Sequence, residues 1–178
     1  MFVNYKIVFN VIGIVVFFLG MLMCLPGTYA WLTDSVDTSG IFMAALSAAV
    51  LGLIMFLITQ SENKSIRKRE GYLIVSLAWI ISSLVCAAPY IFTGVCSQYV
   101  NAFFESISGL TTTGATIFTD IESLPEGVLL WRSMTQWIGG MGIIVLTVAI
   151  FPLLGIGGVE LFVAESPGPT SNKIHPRI

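Results

Sequence analysis

The chain has 178 residues, of which 56% are apolar and 10% charged, and its net charge is −2. A composition this greasy, with a mean hydropathy of +0.90, excludes a soluble domain and assigns the chain to a bilayer. The few charges lie in loops and form no basic patch, which excludes nucleic acid as a partner.

Four stretches, 7–33, 38–61, 71–104 and 133–159, contain no Asp, Glu, Lys or Arg, and each exceeds the ~20 residues that span a hydrocarbon core as helix. A fifth, 106–119, is too short to cross. The first is read as a retained span and not a cleaved signal, because Leu25-Pro26-Gly27-Thr28-Tyr29-Ala30-Trp31 has no clear small-x-small site and one lysine makes a poor n-region.

Lys64, Arg67, Lys68 and Arg69 cluster between the second and third apolar runs, whereas the 28–40 connection carries Asp34 and Asp37 and no basic residue. The bias of basic residues toward the cytoplasm therefore predicts both termini inside, with 28–40 and 94–127 outside. Cys24, Cys86 and Cys96 have no Cys-x-x-Cys spacing and lie far in sequence from the lone His175, so no metal site is argued from them. Cys24 and Cys86 read as small buried apolar residues, and Cys96 falls on the outer side, where a Cys86–Cys96 disulfide is the disfavoured alternative.

The outer segment 94–127 holds the short apolar run, so its chain is expected to dip into the membrane and return to the same side. Irregular backbone is tolerated at that depth only where it lines a cavity. A re-entrant pore loop meets this condition; the alternative is an interfacial helix whose Thr-Thr-Thr-Gly is an ordinary turn. Asn101 is read as the N-cap of a short helix, 102–109, that breaks at Gly109 and points its negative end at the hairpin mouth. Backbone carbonyls replace a potassium hydration shell without the tight grip of carboxylates. Thr111, Thr112, Thr113 and Gly114 suit that task, since glycine permits positive φ and threonine hydroxyls bond nearby backbone.

Glu105 is read as a structural anchor behind the ion path in preference to a cation attractor. Asp120, Glu122 and Glu126 make either an acidic mouth that concentrates cations or an ordinary solvated loop. Arg132 is expected to pair with one of these acids or with Glu105. The last apolar run, about 30 residues from Gly127 to Ile156, must tilt, bend or break, and Gly139-Gly140-Met141-Gly142 offers either a bend or close helix packing.

Phe103-Phe104-Glu105-Ser106 through Thr116, with Trp131-Arg132-Ser133-Met134-Thr135-Gln136-Trp137-Ile138-Gly139-Gly140-Met141-Gly142, resembles the TrkH/TrkG potassium-uptake family of bacteria. The resemblance extends through Arg69-Glu70-Gly71-Tyr72-Leu73-Ile74 and Pro152-Leu153-Leu154-Gly155-Ile156-Gly157-Gly158 to Pro167-Gly168-Pro169 and Pro176-Arg177-Ile178. It implies an all-α integral membrane protein of the inner (plasma) membrane: two leading helices, then four helix–loop–helix repeats whose loops form one filter. Placed on this chain, the leading pair is 7–27 and 39–60 within 1–70. The first repeat is 72–93, 99–116 and 128–156 within 71–158, and 159–178 is a linker.

By the same resemblance Thr112 and Thr113 offer the main carbonyls to potassium, with Thr111 and Gly114 completing this quarter of the filter. The implied partners are potassium as transported substrate, membrane lipid, a cytoplasmic nucleotide-binding TrkA-type gating subunit, and a second copy in a homodimer; no covalent cofactor is implied. The chain is expected to be an N-terminal portion that does not conduct alone. A homotetrameric cation channel and a non-conducting membrane interaction protein are the alternatives. An enzyme is disfavoured, because a serine protease would need a base beside Ser106 or Ser108 and His175 is expected on the opposite side.

Overall fold

The computed structural model describes residues 4–60 and 68–154, and every regular element within them is a helix. These are α1 (Tyr5–Leu32), α2 (Thr38–Ile58), α3 (Lys68–Cys86), α4 (Ala88–Phe92), α5 (Tyr99–Leu110) and α6 (Glu126–Leu154). The chain divides into two compact units, Met1–Gly142 and Ile143–Ile178; of the second, the described part is the helical stretch 143–154. Lys64 and Arg67 of the basic cluster, and the tail with His175, lie outside the described residues. Three stretches among the described residues, Tyr5–Leu32, Thr38–Ile58 and Arg69–Phe92, are long and apolar enough to cross a membrane.

The leading pair is held by small residues. Gly40, Ala44, Ala48 and Gly52 recur every four residues along the buried side of α2, a spacing that stacks them on one helix face. A Cβ on Gly20 would stand 2.5 Å from the Ala49 nitrogen, and one on Gly13 would stand 2.8 Å from the Phe56 nitrogen. The two backbones therefore approach through their glycines, the packing that membranes favour when apolar burial gives helices no mutual attraction. Val8, Ile12 and Val16 fill another side of α1 and meet Leu73, Ile74, Leu77 and Ile81 of α3.

The third apolar run, expected as one helix over 72–93, is interrupted between Cys86 and Ala88. Pro89 explains the break: it has no N–H to give the carbonyl four residues back, and it sits in the first turn of α4, where a missing N–H costs nothing. Two groups use the gap. The Trp131 indole donates to the Cys86 carbonyl at 3.1 Å, and the Tyr99 hydroxyl donates to the Leu84 carbonyl at 2.8 Å. All three cysteines are free; Cys86 and Cys96 are buried and Cys24 is partly exposed.

Two close contacts show how 93–126 is threaded. At one end of α2, Gly40 is packed so tightly on Phe92 that a Cβ would lie 2.7 Å from the Phe92 oxygen. Next to it, a Cβ on Gly127 would lie 2.8 Å from both the Ala30 Cβ and an Asp37 carboxylate oxygen. The segment thus leaves α4 and enters α6 at the same end of the helix pair. Between these points the carbonyl of Leu110, the last residue of α5, lies against Gly139, thirteen residues or about 20 Å down α6. The chain dips in and comes back. At 12 residues α5 is about 18 Å long, too short for a ~30 Å hydrocarbon core.

Candidate functional site

The hairpin is built from the way α5 ends. Thr111 N–H donates to the Ile107 carbonyl at 2.9 Å, Thr112 N–H to Gly109 at 2.9 Å and Thr113 N–H to Ser108 at 3.0 Å. The last two bonds, five-to-two and six-to-one in that order, form a Schellman motif with Thr112 at the position that usually carries glycine. Thr112 accordingly has φ +55, a left-handed conformation that is an outlier for a β-branched residue. The helix passes through Gly109 and stops at Leu110, so the expected break at Gly109 is corrected. Gly109 serves packing instead, since a Cβ there would meet the Thr135 hydroxyl at 2.5 Å. Asn101 is not the N-cap either: that place is Gln98, with extended backbone and no side-chain capping bond.

The amides of Thr111, Thr112 and Thr113 are therefore spent on the helix end, while their carbonyls point elsewhere. Among the described residues no donor reaches the carbonyl oxygens of Thr111, Thr112, Thr113 or Gly114. Gly114 has φ +76, and nothing lies within 4 Å of where its Cβ would be. Backbone conformation, not lack of space, demands the glycine. The Thr111 and Thr113 hydroxyls lie 2.8 Å apart, and Thr111 also donates to the Ile107 carbonyl at 2.7 Å. Residues 111–115 are all exposed. The geometry brings the four expected residues onto one tip, with four consecutive free acceptors at the negative end of a helix, an arrangement suited to a dehydrated cation.

Behind the tip is a buried polar brace. Glu105 is 3% exposed; one of its oxygens accepts from the Thr116 hydroxyl and the Ile117 N–H, both at 2.6 Å. Its other oxygen faces Arg132 at 3.5 Å, and the same guanidinium stacks over Phe118 at 5.6 Å from the ring centre. Ser108 donates to the Ala115 carbonyl at 2.6 Å. The returning leg of the hairpin, 115–117, is thus tied to α5, and Glu105 is the anchor that the sequence favoured. Arg132 chooses Glu105 over the three outer acids and sits nearly two turns inside α6, which begins at Glu126. Asp120, Glu122 and Glu126 are exposed.

Sequence reasoning overlooked Asp37, read only as part of an acidic outer connection. It is 2% exposed, and one carboxylate oxygen accepts the Val128 N–H at 2.8 Å across 91 residues. It caps the first turn of α6 from a distance, supplying the acceptor that the helix start lacks locally.

The family model described as TrkH, Cation transport protein, matches residues 38–178. The chain belongs to the TrkH cation-transport family. It is 41% identical over 177 residues to the Trk system potassium uptake protein TrkH of Salmonella typhimurium, covering 98% of this chain and 37% of that protein. It is 43% identical over 122 residues to the Trk system potassium uptake protein TrkG of Escherichia coli K12, covering 67% of this chain and 25% of that protein. Its fold matches the crystal structure of the potassium transporter TrkH from Vibrio parahaemolyticus with a TM-score of 0.82 and 31% identity, covering 91% of this chain and 36% of that one. The matched stretch therefore spans between a quarter and somewhat over a third of the length of these relatives. The expectation of a helical membrane protein with two leading helices and a helix, hairpin and helix after them agrees with the family fold.

Proposed function

We propose that this chain contributes one part of a potassium-uptake pathway in a bacterial inner membrane, with Thr111, Thr112, Thr113 and Gly114 as one quarter of a selectivity filter. The observation that carries the reading is the run of four donor-free carbonyls at the exposed tip of a helix too short to cross. Potassium is the transported substrate, and the main ligands are the carbonyl oxygens of Thr112 and Thr113. The remaining quarters come from further loops arranged about the same axis, so the chain alone does not conduct.

In this reading residues 1–70 are the leading helix pair, 71–158 the first repeat and 159–178 a linker. Both termini face the cytoplasm, where a nucleotide-binding TrkA-type subunit gates the pore, and the whole protein is a homodimer embedded in lipid. Potassium uptake into depleted cells carrying the Gly114→Val variant of the whole protein tests the filter. Flux is expected to be lost, because a β-branched residue is strained at φ +76. Uptake at the unsubstituted rate would sink the assignment.

A further inference from the structure

Carbonyls that discriminate between ions have to be held in place, and packing at the tip does not do this. Residues 111–115 are exposed, and nothing lies within 4 Å of where a Gly114 Cβ would be. On the descending side the amides of Thr111, Thr112 and Thr113 tie the backbone to α5. On the returning side, among the described residues, no backbone–backbone hydrogen bond holds 114–118. Two buried side chains take that place. Ser108, 5% exposed, donates its hydroxyl proton to the Ala115 carbonyl at 2.6 Å, and Glu105 accepts from the Thr116 hydroxyl and the Ile117 N–H. The two stand three residues apart on α5 and so share one face of it.

Ser108 has the more telling position. Its backbone carbonyl accepts the Thr113 N–H at 3.0 Å while its hydroxyl donates to the Ala115 carbonyl, so a single residue grips the chain on both sides of Gly114. The hydroxyl bond also takes Ala115 out of the run of free acceptors, which ends at Gly114 in consequence. Discrimination between potassium and the smaller sodium ion depends on how many carbonyls coordinate and how far they can close in. We infer that Ser108 is a positioning residue that sets cation selectivity: it ends the run of ligands at Gly114 and keeps the returning leg from closing on the smaller ion. Thr116 assists from the leg itself, through its bond to Glu105. The inference rests on the reading of 111–114 as a potassium filter.

The test measures potassium and sodium uptake by the whole protein in its unsubstituted form and as Ser108→Ala, Thr116→Val and Gly114→Val. Ser108→Ala keeps the backbone bond to Thr113 and loses the hydroxyl bond to Ala115; Thr116→Val keeps the side chain's shape and loses the bond to Glu105. Both are expected to lower the potassium-to-sodium uptake ratio by about fivefold, the factor that one net hydrogen bond represents. A smaller amount of folded protein reduces both fluxes together and leaves their ratio alone, so the ratio reports selectivity and not folding. With Gly114→Val inactive, an unchanged ratio in Ser108→Ala would overturn the inference and leave the filter reading standing. Where Ser108→Ala carries neither ion, the ratio in Thr116→Val decides in the same way. Potassium uptake by Gly114→Val at the unsubstituted rate would remove the filter reading and the inference with it.

Discussion

At the residue scale the most telling position is Thr112. It takes the left-handed place of a Schellman motif, φ +55, without being glycine. Strain of this kind costs roughly 1–3 kcal/mol and persists where the surroundings enforce it. Thr112→Gly is therefore expected to raise the unfolding free energy by about 1 kcal/mol, measurable by denaturant melts in detergent; a loss of stability would refute the strain. The Glu105–Arg132 pair behaves oppositely. Arg132→Met strands a carboxylate that is 3% exposed, at an expected cost of about 3–5 kcal/mol, while adding Glu105→Gln returns part of it. A double variant whose loss equals the sum of the two single losses would show that the pair is not coupled. The anchoring of Glu105 was legible in the sequence, because its place one turn before the hairpin turns it away from the tip. Thr112's conformation was not: helix-ending rules look for glycine, and Gly109 drew the predicted helix end one residue too early.

At the scale of elements, α6 is received rather than merely packed. Its first turn is capped by Asp37 and its glycines admit two neighbours, the α1–α2 turn at Gly127 and the end of α5 at Gly139. Asp37→Ala is expected to destabilise the fold by about 1 kcal/mol, read as a lower melting midpoint, and an unchanged midpoint would dismiss the cap. Gly139→Ala should displace the hairpin, because the Leu110 carbonyl already occupies the space a methyl needs. Cross-linking yields between cysteines placed on the hairpin and α6 would register that shift. Of the two uses foreseen for the Gly139–Gly142 run, close packing is realised at Gly139 and the helix continues unbroken through it. Spans were readable because absence of charge over a bilayer's width is a strong signal. The Asp37 cap was not, because a bond across 91 residues leaves no local pattern.

At the scale of the molecule, one end of the helix pair is where α4 leaves and α6 begins, and the exposed tip lies about 20 Å along α6. Cysteine chemistry offers a probe of that arrangement. Burial, with a smaller contribution from the Glu105 charge, pushes the Cys96 thiol above its ordinary range. Thiol alkylation of Cys96 in the folded protein is therefore expected to be slow at neutral pH and to accelerate in alkali, as thiolate forms; rapid labelling at neutral pH would mean that the turn after α4 is open.

The Asp37 contact also bears on the order of events during synthesis. Asp37 leaves the ribosome 91 residues ahead of Val128, so the acceptor and the helix pair that carries it are synthesised before the helix start they receive. The carboxylate and the small cleft around Gly127 then act as a mould for the late arrival, setting where α6 starts and hence the depth at which the hairpin comes to rest. Seen this way, the leading pair is a jig for assembling the re-entrant loop, and its loss would misplace that loop without altering any residue within it.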